Sequence, residues 1–225
     1  MKNIILQHYT GELGELEKLS QKNIQEYAKA CGAEYKLIQG NAFHPHLSHP
    51  CQKMVMLSPE FDEYDIVVMI DIDMFTRKGM TGNIFTDVSG IGMYTEFQQN
   101  LHKGLRRNFS HLIDLKYGYW GGAIWRLEKE WRVNLRKFIN MDEMVQFNKG
   151  FEDEGMMARL ATLAKIPNNA QVLPGGFRWC HCSYREGIEN AEMIHIRPKV
   201  TLIGGPKRPK IENYREMVKR GLIEE

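Results

Sequence analysis

Two aspartates one residue apart, Asp71-Ile72-Asp73, follow the most apolar run of the chain, Ile66-Val67-Val68-Met69-Ile70. Residues i and i+2 of a strand point to the same side, which would set the two carboxylates about 6.6 Å apart along the chain. At an effective dielectric of about 20, two such charges repel by about 2.5 kcal/mol. A hard divalent cation between them removes that repulsion, and carboxylate oxygens suit Mg2+ or Mn2+. Solvated turn aspartates can share this spacing, so the tripeptide gains meaning from the strand before it. Ligands of open α/β sheets collect at the carboxyl ends of strands, which is where the pair falls.

The elements that must hold these residues follow from the pattern. Ile4 to Tyr9 reads as a first strand. Leu13, Leu16, Leu19, Ile24, Tyr27 and Ala28 recur near helical spacing as far as Cys31-Gly32, where glycine suits a helix C-terminus. Glu34 to Ile38 reads as a second strand, Gln52 to Ser58 as helical, and Ile66 to Ile70 as a strand covered on both faces. Alternation of strand and helix over the first 70 residues predicts an α/β fold with right-handed crossovers. Further on, Ile91 to Thr95 reads as a strand and Leu101 to Leu112 as a basic loop or helix. Helices are expected over Leu127 to Ile139 and Asp153 to Ala164, and a short strand over Met193 to Ile196. No repeat or linker interrupts the 225 residues, which predicts one domain over 1–225.

Composition narrows the classes. Thirty Lys and Arg oppose 28 Asp and Glu, a net charge of +2 that does not point to a nucleic-acid partner. No run approaches the ~18 apolar residues of a membrane span, and Ile4-Ile5-Leu6 is too short for a signal-peptide core, so a cytoplasmic protein is expected. Four cysteines are too few for a disulfide scaffold. Cys180-His181-Cys182 has zinc-ligand residue types at tighter spacing than zinc sites use, and His44, His46, His49 and Cys51 crowd a proline-punctuated loop. Trp120, Trp125 and Trp179 could stack on a sugar or fill a core.

The segment Tyr64-Asp65 through Asp71-Ile72-Asp73 resembles the Asp-x-Asp signature of nucleotide-sugar glycosyltransferases with the GT-A fold. Gln52-Lys53 resembles their lysine-bearing helix before that strand. Tyr119-Trp120-Gly121-Gly122-Ala123-Ile124-Trp125 resembles their glycine-containing turn and strand beside the donor sugar. Phe151-Glu152-Asp153-Glu154-Gly155 is similar to their acidic helix opening on the acceptor side, and Ile194-His195-Ile196 to the late strand whose histidine completes the metal site. The compact chain also resembles glycosyltransferase domains by which large algal viruses glycosylate their capsids, which would make its location a host cytoplasm. His195-Ile196-Arg197-Pro198-Lys199 lacks the glycine and tryptophan that glycogenin-like families carry after their histidine.

The resemblance implies a single-domain, Rossmann-like GT-A fold with a mostly parallel central sheet flanked by helices. Its donor part would span about 1–100, its acceptor side about 101–200 and a basic C-terminal segment 201–225. It implies Mn2+ or Mg2+ on Asp71, Asp73 and His195, although His195 taken alone reads first as a half-buried structural histidine. It implies a donor, UDP-linked by preference, contacted by His8, Tyr9, Thr10, Lys53, Asp71, Ile72, Gly121, Gly122 and Lys199. Asp153, with Glu152 beside it, would be the catalytic carboxylate facing a glycan or glycoprotein acceptor; acids at a helix opening also complement the macrodipole. Lys199, Lys207 and Lys210 could meet phosphates or form a solvated tail. The competing readings are a sugar-phosphate nucleotidyltransferase, disfavoured because Gln7 to Glu12 lacks a basic glycine-rich loop, and a non-catalytic module for anionic ligands.

Overall fold

In the computed structural model, residues 1–95, 99–117, 120–166, 176–199 and 206–225 are described. Gly118 and Tyr119 of the aromatic-glycine segment, Pro174-Gly175 and Gly204-Gly205 lie outside them. Five strands form the central sheet in the order β2-β1-β3-β6-β5: β1 Asn3–Tyr9, β2 Glu34–Gln39, β3 Ile66–Ile70, β5 Gly92–Thr95 and β6 Trp120–Glu128. β1 pairs parallel with β2 and β3, whereas β6 runs antiparallel to both β3 and β5, so four of the five strands point the same way. This is the mixed α/β arrangement with a mostly parallel sheet that the strand and helix alternation predicts.

Burial on both faces explains why β3 is unbroken in apolar character. Val67 and Met69 enter one hydrophobic cluster with Ile4, Leu6, Trp125 and Leu127. Ile66, Val68 and Ile70 enter the opposite one with Ile5, Ile24, Tyr27 and Trp179. The first face is covered by α5 (Glu152–Ala164), through Met156, Met157 and Leu160, and the second by α1 (Glu15–Ala30). α1 ends on Gly32, whose positive φ of 67° lets Ala33 N–H reach back to the Ala28 carbonyl at 2.9 Å.

A three-stranded sheet, β4 (Met74–Thr76), β8 (Met193–His195) and β7 (His181–Cys182), lies beyond the end of β3. Under it Phe75, Ile194 and Ile196 pack with Tyr214 and Met217 of α6 (Lys210–Lys219). β4, β7 and α6 are additions to the sequence-based expectation. β6 is longer than expected, since Leu127 belongs to the strand and α3 occupies only Lys129–Arg136, followed by a one-turn α4, Met141–Met144. The basic segment is α2, Gln99–Phe109, and Gln52 to Leu57 lies in a 3-10 helix, Pro50–Leu57. No helix among the described residues is long and apolar enough to cross a membrane.

Candidate active site

β3 stops at Ile70, and the aspartate pair occupies the turn between it and β4 rather than the strand itself. Met74 N–H closes that turn on the Asp71 carbonyl at 3.1 Å, and Asp71 N–H donates to the Ala123 carbonyl of β6 at 2.9 Å. The buried Gln7 amide of β1 donates to the same Asp71 carbonyl and to Ser20 Oγ, both at 3.1 Å. Ser20 Oγ in turn donates to the Met74 carbonyl at 2.7 Å. On the far side the Asp73 carbonyl accepts from Ile196 N–H at 2.9 Å, and Met74 pairs with His195 in the β4–β8 ladder. The turn is thus fixed by three neighbours, and the ladder brings His195 to it.

One ligand atom each from Asp71, Asp73 and His195 lies within 4.8 Å of the others. His195 Nε2 is 3.1 Å from Asp73 Oδ1 yet is buried and misaligned for a hydrogen bond. A buried ring nitrogen aimed beside a carboxylate oxygen, with neither satisfying the other, is the donor set that a divalent cation completes. The residues present therefore fit such an ion. The remaining ring nitrogen, Nδ1, faces Cys180 Sγ at 3.9 Å. Burial would raise the Asp73 pKa, but the neighbouring His195 and Lys210 outweigh it and hold the carboxyl well below the usual range.

Lys53 organises the other half of the site. Its buried ammonium lies 2.6 Å from Asp71 Oδ1, 2.6 Å from Asp153 Oδ2 and 2.7 Å from the Gly122 carbonyl, with the Trp125 ring centroid at 5.2 Å. Burial would depress its pKa, but Asp153 and Asp71 reverse that and raise it. One ammonium shared between two carboxylates cannot neutralise both. Accordingly burial, with Asp71 adding to it, lifts the Asp153 pKa despite Lys53. Asp153 Oδ2 is out of line for a hydrogen bond to Lys53 and keeps acceptor capacity. This packing requires glycine opposite: a Cβ on Gly122 would fall 2.3 Å from Asp153 Oδ2. Gly122 N–H also donates to Glu154 Oε1 at 3.0 Å, tying β6 to the start of α5. That helix begins through Phe151 and Glu152, both at positive φ (67° and 38°), a strained turn that sets the acidic residues at the cleft.

A cleft of about 600 Å³ opens over these groups. Of the residues singled out from sequence, Lys53, Asp71, Gly121, Gly122, Glu152, Asp153, His195 and Lys199 line it, and Asp73 is buried beside His195. His8, Tyr9 and Thr10 do not line it; His8 Nε2 is engaged with the Gly40 carbonyl at 2.7 Å. Ile72 sits within the turn and is likewise outside the lining. Lys199 lies 5.7 Å from the Tyr184 ring centroid, and Lys207 bridges Lys199 through the backbone. Lys210 is no solvated tail: it ion-pairs with Asp73. Trp120, Trp125 and Trp179 are buried to 2% exposure or less, which makes them core residues and not a sugar-stacking wall.

Sequence reasoning missed Cys182, Tyr184, Arg185 and Arg197 as lining residues. Cys180 and Cys182 drew notice only as zinc ligands. Among the described residues neither they nor His44, His46 and His49 join a metal-ligating cluster. No disulfide joins the four cysteines among the described residues. Gln52 explains the histidine loop instead, since its side chain bonds Phe43 N–H, His44 N–H and the His44 and Leu47 carbonyls.

No family profile matches the sequence, and no curated protein does. Solved structures with the same fold exist. One is a glycosyltransferase involved in glycosylation of the major capsid of PBCV-1 (TM-score 0.62, 10% identity, covering 97% of this chain and 100% of that one). Another is the galactosyltransferase LgtC in complex with donor and acceptor sugar analogues (TM-score 0.59, 12% identity, 96% and 95% covered). A third is the bifunctional glycosyltransferase WbbM in its apo form (TM-score 0.59, 14% identity, 97% of this chain and 51% of that one). The chain has the GT-A fold of such enzymes.

Proposed function

We propose that this GT-A chain is a metal-dependent glycosyltransferase that moves a hexose from a nucleotide-diphosphate sugar, UDP-linked by preference, to a glycan or glycoprotein acceptor. One domain would carry both steps, with the donor side in about 1–100 and the acceptor side in about 101–200. The observation that supports the reading most is the convergence of Asp71, Asp73 and His195 beside a cleft that Asp153 also lines.

Asp71, Asp73 and His195 would hold Mn2+ or Mg2+. Such an ion, when bound, supplies Lewis-acid charge for a diphosphate leaving group. Lys53 holds Asp71 and Asp153 at fixed positions on one ammonium. In an inverting transfer, Asp153 would take the proton of the acceptor hydroxyl on the carboxylate oxygen that is not turned to Lys53. Its raised pKa brings it closer to working pH and makes it a stronger base than an ordinary aspartate. Glu152, on the same wall, would accept hydrogen bonds from acceptor hydroxyls, and Lys199 would meet donor phosphate.

The test is transfer or donor hydrolysis with Mn2+ in the wild-type chain, Asp71→Ala and Asp73→Ala. Loss of at least about 10²-fold in both variants is expected, as when an electrostatic group at the leaving charge is removed. Activity of wild-type magnitude in both would sink the metal assignment. Release of nucleoside diphosphate, with no free pyrophosphate, separates glycosyl transfer from nucleotidyl transfer.

A further inference from the structure

Each aspartate of the pair already carries a lysine. Lys53 takes Asp71 Oδ1 at 2.6 Å, and Lys210, from the distant α6, takes Asp73 Oδ2. We propose that Lys210 is a built-in competitor of the divalent cation, holding Asp73 in the ion-free protein and leaving it when the ion enters. This rests on the metal reading above and adds to it the residue that sets the site's affinity.

The two lysines are not equivalent. The Lys53 side chain is 8% exposed and is fixed by two carboxylates and a carbonyl. The Lys210 side chain is 40% exposed, so its ammonium can turn into water at little desolvation penalty. Charge points to the same residue: a dication at Asp73 takes over the positive charge that Lys210 supplies there. His195 Nε2 and Asp73 Oδ1 face each other at 3.1 Å, so an ion between them would stand across a single carboxylate from the Lys210 ammonium.

The place of Lys210 in its helix is a second, independent sign. It is the first residue of α6, after Pro209, with no side-chain cap. A helix N-terminus carries partial positive charge and disfavours a cation. The contact with Asp73 offsets that disfavour, and an ion competing for Asp73 removes the offset. The helix itself need not move. Tyr214 packs on Phe75 with ring centroids 4.8 Å apart, and Asn213 Nδ2 donates to the Arg197 and Lys199 carbonyls, so the exchange is confined to one side chain.

Direct Mn2+ binding, by calorimetric titration and by the free-ion paramagnetic resonance signal, tests this on the full chain as wild type, Lys210→Met, Lys210→Arg and Asp73→Asn. Lys210→Met is expected to bind Mn2+ about tenfold tighter than wild type, the order set by removing a unit charge near a dication in partly screened surroundings. Lys210→Arg keeps the charge and is expected to stay near wild type. If Lys210→Met binds no tighter, or more weakly, while Asp73→Asn abolishes binding, Lys210 orients Asp73 instead of competing and the proposal falls with the site intact. If no chain binds Mn2+, the proposal and the metal reading fall together.

Discussion

Lys53 is a buried cation held between two carboxylates, Asp71 and Asp153. Removing one member of such a group leaves uncompensated charge and destabilises by about 3–5 kcal/mol. Lys53→Met is therefore expected to lower unfolding free energy by that order in denaturant titrations. Adding Asp153→Asn should recover part of the loss, because the second variant removes a charge that the first left unpaired. Strict additivity of the two changes would show that the ion pair carries no coupling. The same pair of residues accounts for the glycine at 122, since only a missing side chain lets Asp153 approach β6 so closely.

At the scale of elements, the turn that holds the aspartates depends on β1 and α1 as much as on β3. Gln7 accepts from Tyr35 Oη at 2.9 Å and donates to Asp71 and Ser20, so it joins β2, β1, α1 and the turn in one buried network. Gln7→Leu keeps the volume and strands those partners, and each orphaned group costs about 1–3 kcal/mol. A lowered Tm together with weaker Mn2+ binding is the expected outcome; a stability loss with unchanged Mn2+ affinity would show that the network supports the fold but not the turn. Sequence pattern made the large sheet legible because each of its apolar runs is bounded by polar residues. It failed for β4 and β7, whose three and two residues are too few to show a period of two. It placed Leu127 in a helix because Leu127, Trp131 and Leu135 also fit helical spacing. α6 carried a usable signal in Ile211, Tyr214 and Val218, but the Pro, Gly and Lys run before it invited a reading as tail. Without α6, the contact between Lys210 and Asp73 could not be foreseen. Lys53, by contrast, was legible only as a donor contact, since nothing local to it announces Asp153 as a partner.

At the scale of the whole molecule, three groups outside the cleft titrate in one direction. His8 is held neutral mainly by burial, which lowers its pKa from 6.5. The unfolded chain then takes up that proton first, so stability is lost as pH falls below about 6.5 toward the folded value. Asp62, hydrogen-bonded to Arg136, and Glu143, hydrogen-bonded to Arg159, have depressed pKa values. Their contributions are present above the ordinary carboxylate values of 3.8 and 4.5 and vanish as pH falls through the folded ones. Thermal stability measured from pH 8 to pH 3 is expected to decline in two stages, a shallow one below about pH 6.5 and a steeper one below about pH 4.5. A rise in Tm on acidification would contradict all three assignments. The β4–β8 ladder has a consequence in time as well as in space. It joins a strand synthesised in the first third of the chain to one synthesised near the end, and Asp73 and His195 meet only through it. The central sheet can close as soon as β6 has left the ribosome, while the cation pocket waits for β8 and its lysine for α6. In a nascent chain the central sheet would thus precede the cation pocket.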